Sequence, residues 1–132
     1  MTMKIGDTYE YKEVVTADVT AAALVSGALP VFGTPYLIAM IENTAFFYMK
    51  QYLGDDKNTV GTVINIKHLA PTPVGMEVRV ITEVTNISPN GKIVDFKVTA
   101  YDEEGVIGEG THQRAVVTSE RFLEKCRKKL DT

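Results

Sequence analysis

The stretch "VFGTPYLIAMIENTAFFYM", residues 31 to 49, reads as a helix that is apolar around nearly its whole circumference, with Glu42 in its middle. Positions three and four residues apart share a ridge on a helix. For Glu42 these are Ile38, Ala39, Ala45 and Phe46, none of them charged. Thr34-Pro35 has the form of an N-cap followed by proline at the first helical position, and Gly54 after Leu53 is a stop signal. The spacing predicts a helix over about 35 to 53. A helix that is apolar on all sides must be covered on all sides, and that requirement governs the architecture expected around it.

Before the helix, TYEYKEVV at 8 to 15 is rich in aromatic and β-branched residues and reads as a strand, while the Ala-rich TADVTAAALVSG that follows predicts a short helix ended by Gly27. After the helix the hydrophobic period changes to two. In 59 to 70 the even positions Val60, Ile64 and Ile66 share a face with His68. In 76 to 88, Met76, Val78, Val80 and Val84 alternate with Glu77, Arg79 and Glu83, and in 91 to 102, Val94, Phe96, Val98 and Ala100 lie opposite Asp95, Lys97 and Thr99. Such alternation marks antiparallel strands with one covered and one wet face. Pro89-Asn90-Gly91 and Glu103-Glu104-Gly105 supply turns, so a meander is expected, closed by a strand at about 106 to 118. SERFLEKCRKKL then forms a short helix with a basic last turn, in which Cys126 shares a packing face with Phe122 and Leu130. One small sheet covers only part of the apolar helix, so its remaining surface calls for a second copy of the chain. The expectation is an α+β domain that dimerises.

With 132 residues the chain suits a single domain, residues 1-132, and its hydrophobic fraction of 45% is ordinary for a globular protein. A net charge of −3 lacks the basic footprint of a nucleic-acid binder. The first residues lack the apolar run of a secretory signal, and no stretch reaches the roughly 20 apolar residues of a membrane span, so a cytoplasmic location without membrane attachment is expected. One cysteine excludes an intrachain disulfide and a cysteine-rich zinc site, and two histidines leave little for a metal cluster. Asn86-Ile87-Ser88 matches a glycosylation acceptor but is uninformative without a secretion signal.

Each polar residue near the helix has an ordinary reading and a chemical one. Glu42 is a solvated helix residue, a structural ion pair or a buried functional acid; with Asn43 and Thr44 beside it, periodicity does not choose which of the three faces inward. Thr34 is a helix cap, or a nucleophile if a base takes its proton, and the helix start offers N–H groups to an oxyanion. His68 is a hydrogen-bonded core histidine or that base. His112 has no defined apolar face around it and reads as structural or supporting. Arg114 flanks a sheet edge, and Gly61 is a bulge or a point of close backbone approach. Gly105, Gly108 and Gly110 precede a strand rather than a helix and do not form a phosphate-binding fingerprint.

The order of strand, buried helix and antiparallel strands resembles the hotdog fold of acyl-CoA thioesterases and dehydratases. Within it, "VFGTPYLIAMIENTA", "GTVINIKHLAPTPVG" and "GEGTHQRAVV", in this order and spacing, resemble the fluoroacetyl-CoA thioesterase family over about residues 30 to 128. The resemblance implies a curved antiparallel sheet wrapped around a long central helix. It implies Thr34, Glu42 and His68 as the catalytic set, with Gly61 and Arg114 against the substrate. It implies hydrolysis of a short acyl-CoA or related thioester, with no metal or bound cofactor, CoA entering only as part of the substrate. "SGALPVFG" puts small and aliphatic residues where the fluoroacetyl-specific enzyme has an aromatic-rich lid, so the catalytic set is implied more firmly than the acyl group. Two other readings stay open: a hotdog acyl-CoA hydratase or dehydratase, and a non-catalytic acyl-CoA-binding module.

Thr34 and Glu42 lie eight residues apart, about 12 Å along a continuous helix. They cannot touch within it, so, unless Thr34 folds back on a loop, the active site is expected at the subunit interface of a homodimer, where Glu42 faces groups of the partner chain.

Overall fold

The computed structural model describes residues 2–131. Five strands form one antiparallel sheet: β1 (Thr8–Val14), β2 (Lys57–His68), β3 (Glu77–Ile87), β4 (Ile93–Tyr101) and β5 (Val106–Thr118). Helix α1 (Thr34–Lys50) enters between β1 and β2, and α2 (Ser119–Arg127) follows β5. No helix of the described residues is long and apolar enough to cross a membrane.

The strand order is β1-β3-β4-β5-β2. The expected meander is therefore confined to β3, β4 and β5. β2 pairs with β5 rather than with β3, because the segment from Leu69 to Met76 is a crossing connection and not a hairpin turn. α1 touches β1 and β3 on one side and β2 and β5 on the other, so the sheet curves around it.

The inward positions of β3 and β4 follow the alternation in the sequence: Val78, Val80, Val84, Val94, Phe96 and Val98 are all buried. Against them lies one face of α1, with Leu37, Met40, Ile41, Ala45, Tyr48 and Met49 buried at helical spacing. The helix is not covered all round. Ala39, Asn43 and Phe47 are exposed, and Phe47 keeps 46% of its surface open.

Four local expectations are corrected. First, Gly33 is the N-cap of α1, with no side-chain cap bond, and Thr34 and Pro35 are its first helical residues. The Thr34 hydroxyl points to His68 instead of to the helix backbone. The helix also ends at Lys50, with a turn following rather than a further helical turn.

Second, the Ala-rich segment forms only the 3-10 turn Ala17–Val19. Its backbone is diverted into loop pairing, with Ala21 N–H donating to Val31 O at 2.8 Å and Gly33 N–H donating to Val19 O at 2.9 Å.

Third, the register of β2 against β5 shifts between Gly61 and Val63. Gly61 stands opposite the buried Arg114, and beyond the bulge Ile64 stands opposite the buried His112. The extra residue reverses the parity, so Val60, opposite Ala115, lies on the other face from Ile64, Ile66 and His68.

Fourth, α2 buries no residue at all, and Cys126 is exposed. Its apolar positions contribute nothing to the core of this chain.

Candidate active site

α1 and the two strands β2 and β5 bring the polar residues into two clusters. At the start of α1, Thr34 Oγ1 and His68 Nδ1 lie 2.8 Å apart. Because Gly33 takes the cap position, the Thr34 hydroxyl carries no structural duty at the helix end. The His68 ring packs edge-on to Phe32, and its Nε2 is buried without a partner among the described residues. Burial pushes the His68 pKa below the ordinary imidazole value, against a weaker opposing pull from the Ala70 backbone. A neutral ring with Nδ1 bare accepts the Thr34 proton, which is the arrangement of a general base beside a hydroxyl. The pair opens on a cleft of about 260 Å³ edged by Ala21, Val31, Leu69 and Pro71.

The backbone N–H groups of the first helical turn are mostly committed. Gly33 donates to Val19 O, Pro35 has no N–H, and Tyr36 and Leu37 donate to Gly33 O. The N–H of Thr34 is the one left in that turn to meet a developing oxyanion.

The second cluster lies one to two turns further along α1. Glu42 Oε2 stands 3.5 Å from an Arg114 guanidinium nitrogen, so the acid that had no partner on its own helix finds one on β5. Arg114 is only 6% exposed. Its Nε donates to Thr59 Oγ1 at 2.9 Å and its NH2 to Thr59 O at 3.0 Å. Its NH1 lies 3.3 Å from His112 Nε2. His112 Nδ1 meets Val63 O at 2.7 Å, which requires the proton on Nδ1 and leaves Nε2 as an acceptor for the guanidinium. Burial is the main cause that holds the His112 pKa low. Arg114 is thus gripped on three sides, and its fourth faces Glu42.

Gly61 completes this cluster by what it lacks. A Cβ there would stand 2.5 Å from Glu42 Oε2. Both readings of Gly61, bulge and close approach, therefore hold at once. The Glu42 side chain remains 43% exposed and lines a cleft of about 500 Å³ together with Tyr11, Tyr36, Asn43, Phe46 and Arg114. The Tyr36 hydroxyl, held against the Glu13 carboxylate, is pushed up to about 12 and stays protonated at neutral pH.

Thr34 and His68 are thus brought together, as are Glu42, Gly61 and Arg114, but within one chain the two groups line different clefts. Sequence reasoning left His112 undecided and passed over Thr59. The signal for Thr59 was its place two residues before Gly61 on the strand, where alternation puts both on one face.

The model of the fluoroacetyl-CoA-specific thioesterase family matches residues 15–120. A fluoroacetyl-CoA thioesterase of Streptantibioticus cattleyicolor is 35% identical over 99 residues, covering 75% of this chain and 70% of that protein. A crystal structure of a variant fluoroacetyl-CoA-specific thioesterase in complex with fluoroacetate and CoA superposes with a TM-score of 0.86 at 31% identity, over 91% of this chain and 99% of that one. A hot-dog-like protein of Thermanaerovibrio acidaminovorans, 21% identical, shares the fold with a TM-score of 0.85 over 95% of this chain and 91% of that one. With hotdog architecture and a family match across most of its length, the chain belongs to the fluoroacetyl-CoA-specific thioesterase family.

Proposed function

We propose that this acyl-CoA thioesterase hydrolyses short acyl-CoA thioesters at a composite site in which Thr34, His68 and Glu42 do the chemistry and Arg114 and Gly61 border the acyl group. The observation that carries the reading is the 2.8 Å contact between the Thr34 hydroxyl and a desolvated His68 whose second ring nitrogen is unpartnered. His68 takes a proton from the attacking oxygen, that of Thr34 or of a water held by Glu42. A C–O bond forms, the C–S bond breaks, and the thiolate leaves with a proton returned from the imidazolium; on the Thr34 route, a water that gives its proton to His68 then cleaves the acyl-threonine ester, releasing the carboxylic acid and returning a proton to Thr34 Oγ1. Arg114 holds the Glu42 carboxylate in a fixed orientation beside the site.

A homodimer is part of the same proposal. β2 is an edge strand whose stretch from Gly61 to Asn65 is exposed, including Val63 and Ile64, and Phe47 is open on α1. An exposed apolar edge is a ready template for pairing with a second copy. Such pairing would also cover the open face of α1 and give the two clusters a route to one substrate.

The test is release of free thiol from a panel of short acyl-CoAs by the native protein and by Thr34→Ala, Glu42→Ala and His68→Ala, each checked for folding. Release that collapses in all three variants supports the reading. Acyl-CoA binding without release would indicate a binding module, and a change in unsaturation without free thiol a hydratase.

A further inference from the structure

A second cleft, of about 450 Å³, lies at the opposite end of β2 from His68. Four cations border it: Lys57 at the start of β2, Lys92 at the turn into β4, and Arg121 and Lys125 on α2. Leu53 and Phe122 supply apolar surface, and no Asp or Glu lines it. In a chain of net charge −3 this is a marked local concentration of positive charge. Of the carboxylates nearby, Asp56 pairs with Lys57 at 3.9 Å, leaving Lys92, Arg121 and Lys125 as the cations offered to a ligand, and Glu124 is turned away to Lys128 at 3.9 Å.

The walls are fixed in place. Ser119 N–H donates to Asp56 O at 2.9 Å and Asn58 Nδ2 donates to Ser119 Oγ at 2.8 Å, tying the start of α2 to β2. Val116 N–H donates to Lys92 O at 2.7 Å. α2 buries nothing, so its packing does not explain why it is held there. What it does is set Arg121 and Lys125, one turn apart, beside Phe122, which is 41% exposed. Cations around an aromatic face suit a ligand that joins phosphates to a flat base: Arg binds phosphate through its planar fork, Lys as a point charge, and a base stacks on the ring.

We propose that this cleft receives the nucleotide end of the acyl-CoA substrate, in chemical terms an adenosine 3′,5′-bisphosphate carried on a diphosphate, a proposal that rests on the thioesterase reading above. The placement agrees. Arg114, Val116 and Thr118 alternate onto one face of β5, so the cleft begins at Val116 and Thr118, within about 13 Å of Arg114 at roughly 3.3 Å per residue. The extended pantetheine arm of CoA is long enough to bridge that span.

Two measurements test this. Adenosine 3′,5′-bisphosphate is titrated into the native protein and into Arg121→Glu/Lys125→Glu, with adenosine and inorganic phosphate as separate probes, and followed by amide chemical shifts. In parallel, hydrolysis of acetyl-CoA is compared with that of S-acetyl-pantetheine, which lacks the nucleotide. The native protein is expected to bind the bisphosphate, with shifts at Lys92, Arg121 and Phe122. The double variant is expected to lose them and to raise KM for acetyl-CoA about tenfold or more, leaving kcat and S-acetyl-pantetheine turnover unchanged. Arg121→Gln/Lys125→Gln is expected to fall between. The proposal is overturned by an unchanged KM, by equal losses on both substrates, or by native protein that does not bind the bisphosphate. If neither thioester is hydrolysed, the thioesterase reading falls by itself, and the titration still decides whether the cleft binds a nucleotide.

Discussion

The Thr34 hydroxyl lies 2.8 Å from His68 Nδ1 at the first residue of α1, while the neighbouring Gly33 performs the capping. The division of labour separates chemistry from stability at this position. Thr34→Ala is expected to lower kcat/KM by about 10²–10⁴, the usual worth of a positioned proton-transfer pair. Its effect on folding is expected to stay within about 0.5 kcal/mol, because no cap bond is lost. Thr34→Ser should restore much of the rate. Steady-state kinetics with thermal melts of the same preparations check both halves; a melting temperature that falls together with the rate would mean that the hydroxyl supports the helix after all.

Two glycines on facing strands are expected to respond in opposite ways. At Gly61 an added Cβ meets the far end of the Glu42 side chain at 2.5 Å, and a carboxylate can swing aside. Gly61→Ala should therefore fold with a stability loss of about 1 kcal/mol or less, yet displace Glu42 and cut turnover more than tenfold. At Gly110 the Cβ would meet Asn65 O at 1.9 Å, with backbone atoms at 2.9 and 3.0 Å behind it. Backbone cannot swing aside, so Gly110→Ala is expected to cost about 3 kcal/mol or more and to loosen β2 from β5. Denaturant melts of the two variants, with hydrogen exchange along β2, make the contrast measurable.

These cases show what the sequence made readable. The alternation at Val78, Val80, Val84, Val94, Phe96 and Val98 reports a periodic burial, and β3 and β4 carry it. A bulge is not periodic: between Gly61 and Val63 the register shifts, and parity counted through it puts Val60 on the wrong face. The pairing of β2 with β5 is likewise set by a crossing connection, not by any local signal. At the helix start, Thr-Pro has the chemistry of a cap, but the loop bond from Gly33 to Val19 places the cap one residue earlier. Glu42 was visible as an anomaly on an apolar helix, yet its partner lies on β5, 72 positions further along the numbering, beyond the reach of local pattern.

Arg114 is expected to resist conservative replacement. Its Nε and NH2 satisfy both oxygens of Thr59 while NH1 faces His112 and Glu42. A lysine carries the charge but not the fork. Arg114→Lys should lose stability of about 1–3 kcal/mol through the unpaired Thr59 acceptors, and should lower activity by releasing Glu42. Thr59→Val removes only the hydroxyl bond and is expected to cost about 1 kcal/mol with a smaller loss of rate. Denaturant melts and kcat/KM for the two variants rank them; equal effects would mean that the Thr59 hydroxyl, rather than the guanidinium fork, sets the geometry.

Acid should destabilise the protein in a window set by its two histidines. Burial is the leading cause that lowers both the His68 and the His112 pKa from the ordinary 6.5. Below that value the unfolded chain binds protons that the folded chain resists, so the stability is complete above about pH 6.5 and declines as pH falls through the folded pKa values. Asp7 works lower down: its hydrogen bond from Tyr48 holds its pKa below 3.8, so what it contributes is lost only below that pH. Melting temperature is therefore expected to be flat from pH 8 to 7 and to fall as pH drops below 6.5. His112→Gln should flatten part of that slope, because a neutral amide has nothing to titrate beside Arg114. The rate has its own acid limb, since His68 must be bare at Nδ1 to take a proton, and the limb should have its midpoint below 6.5. A variant that loses the slope in stability but keeps the acid limb in kcat/KM would assign the first to His112 and the second to His68. An acid limb that vanished with His112 instead would move the proton transfer to the Glu42 cluster.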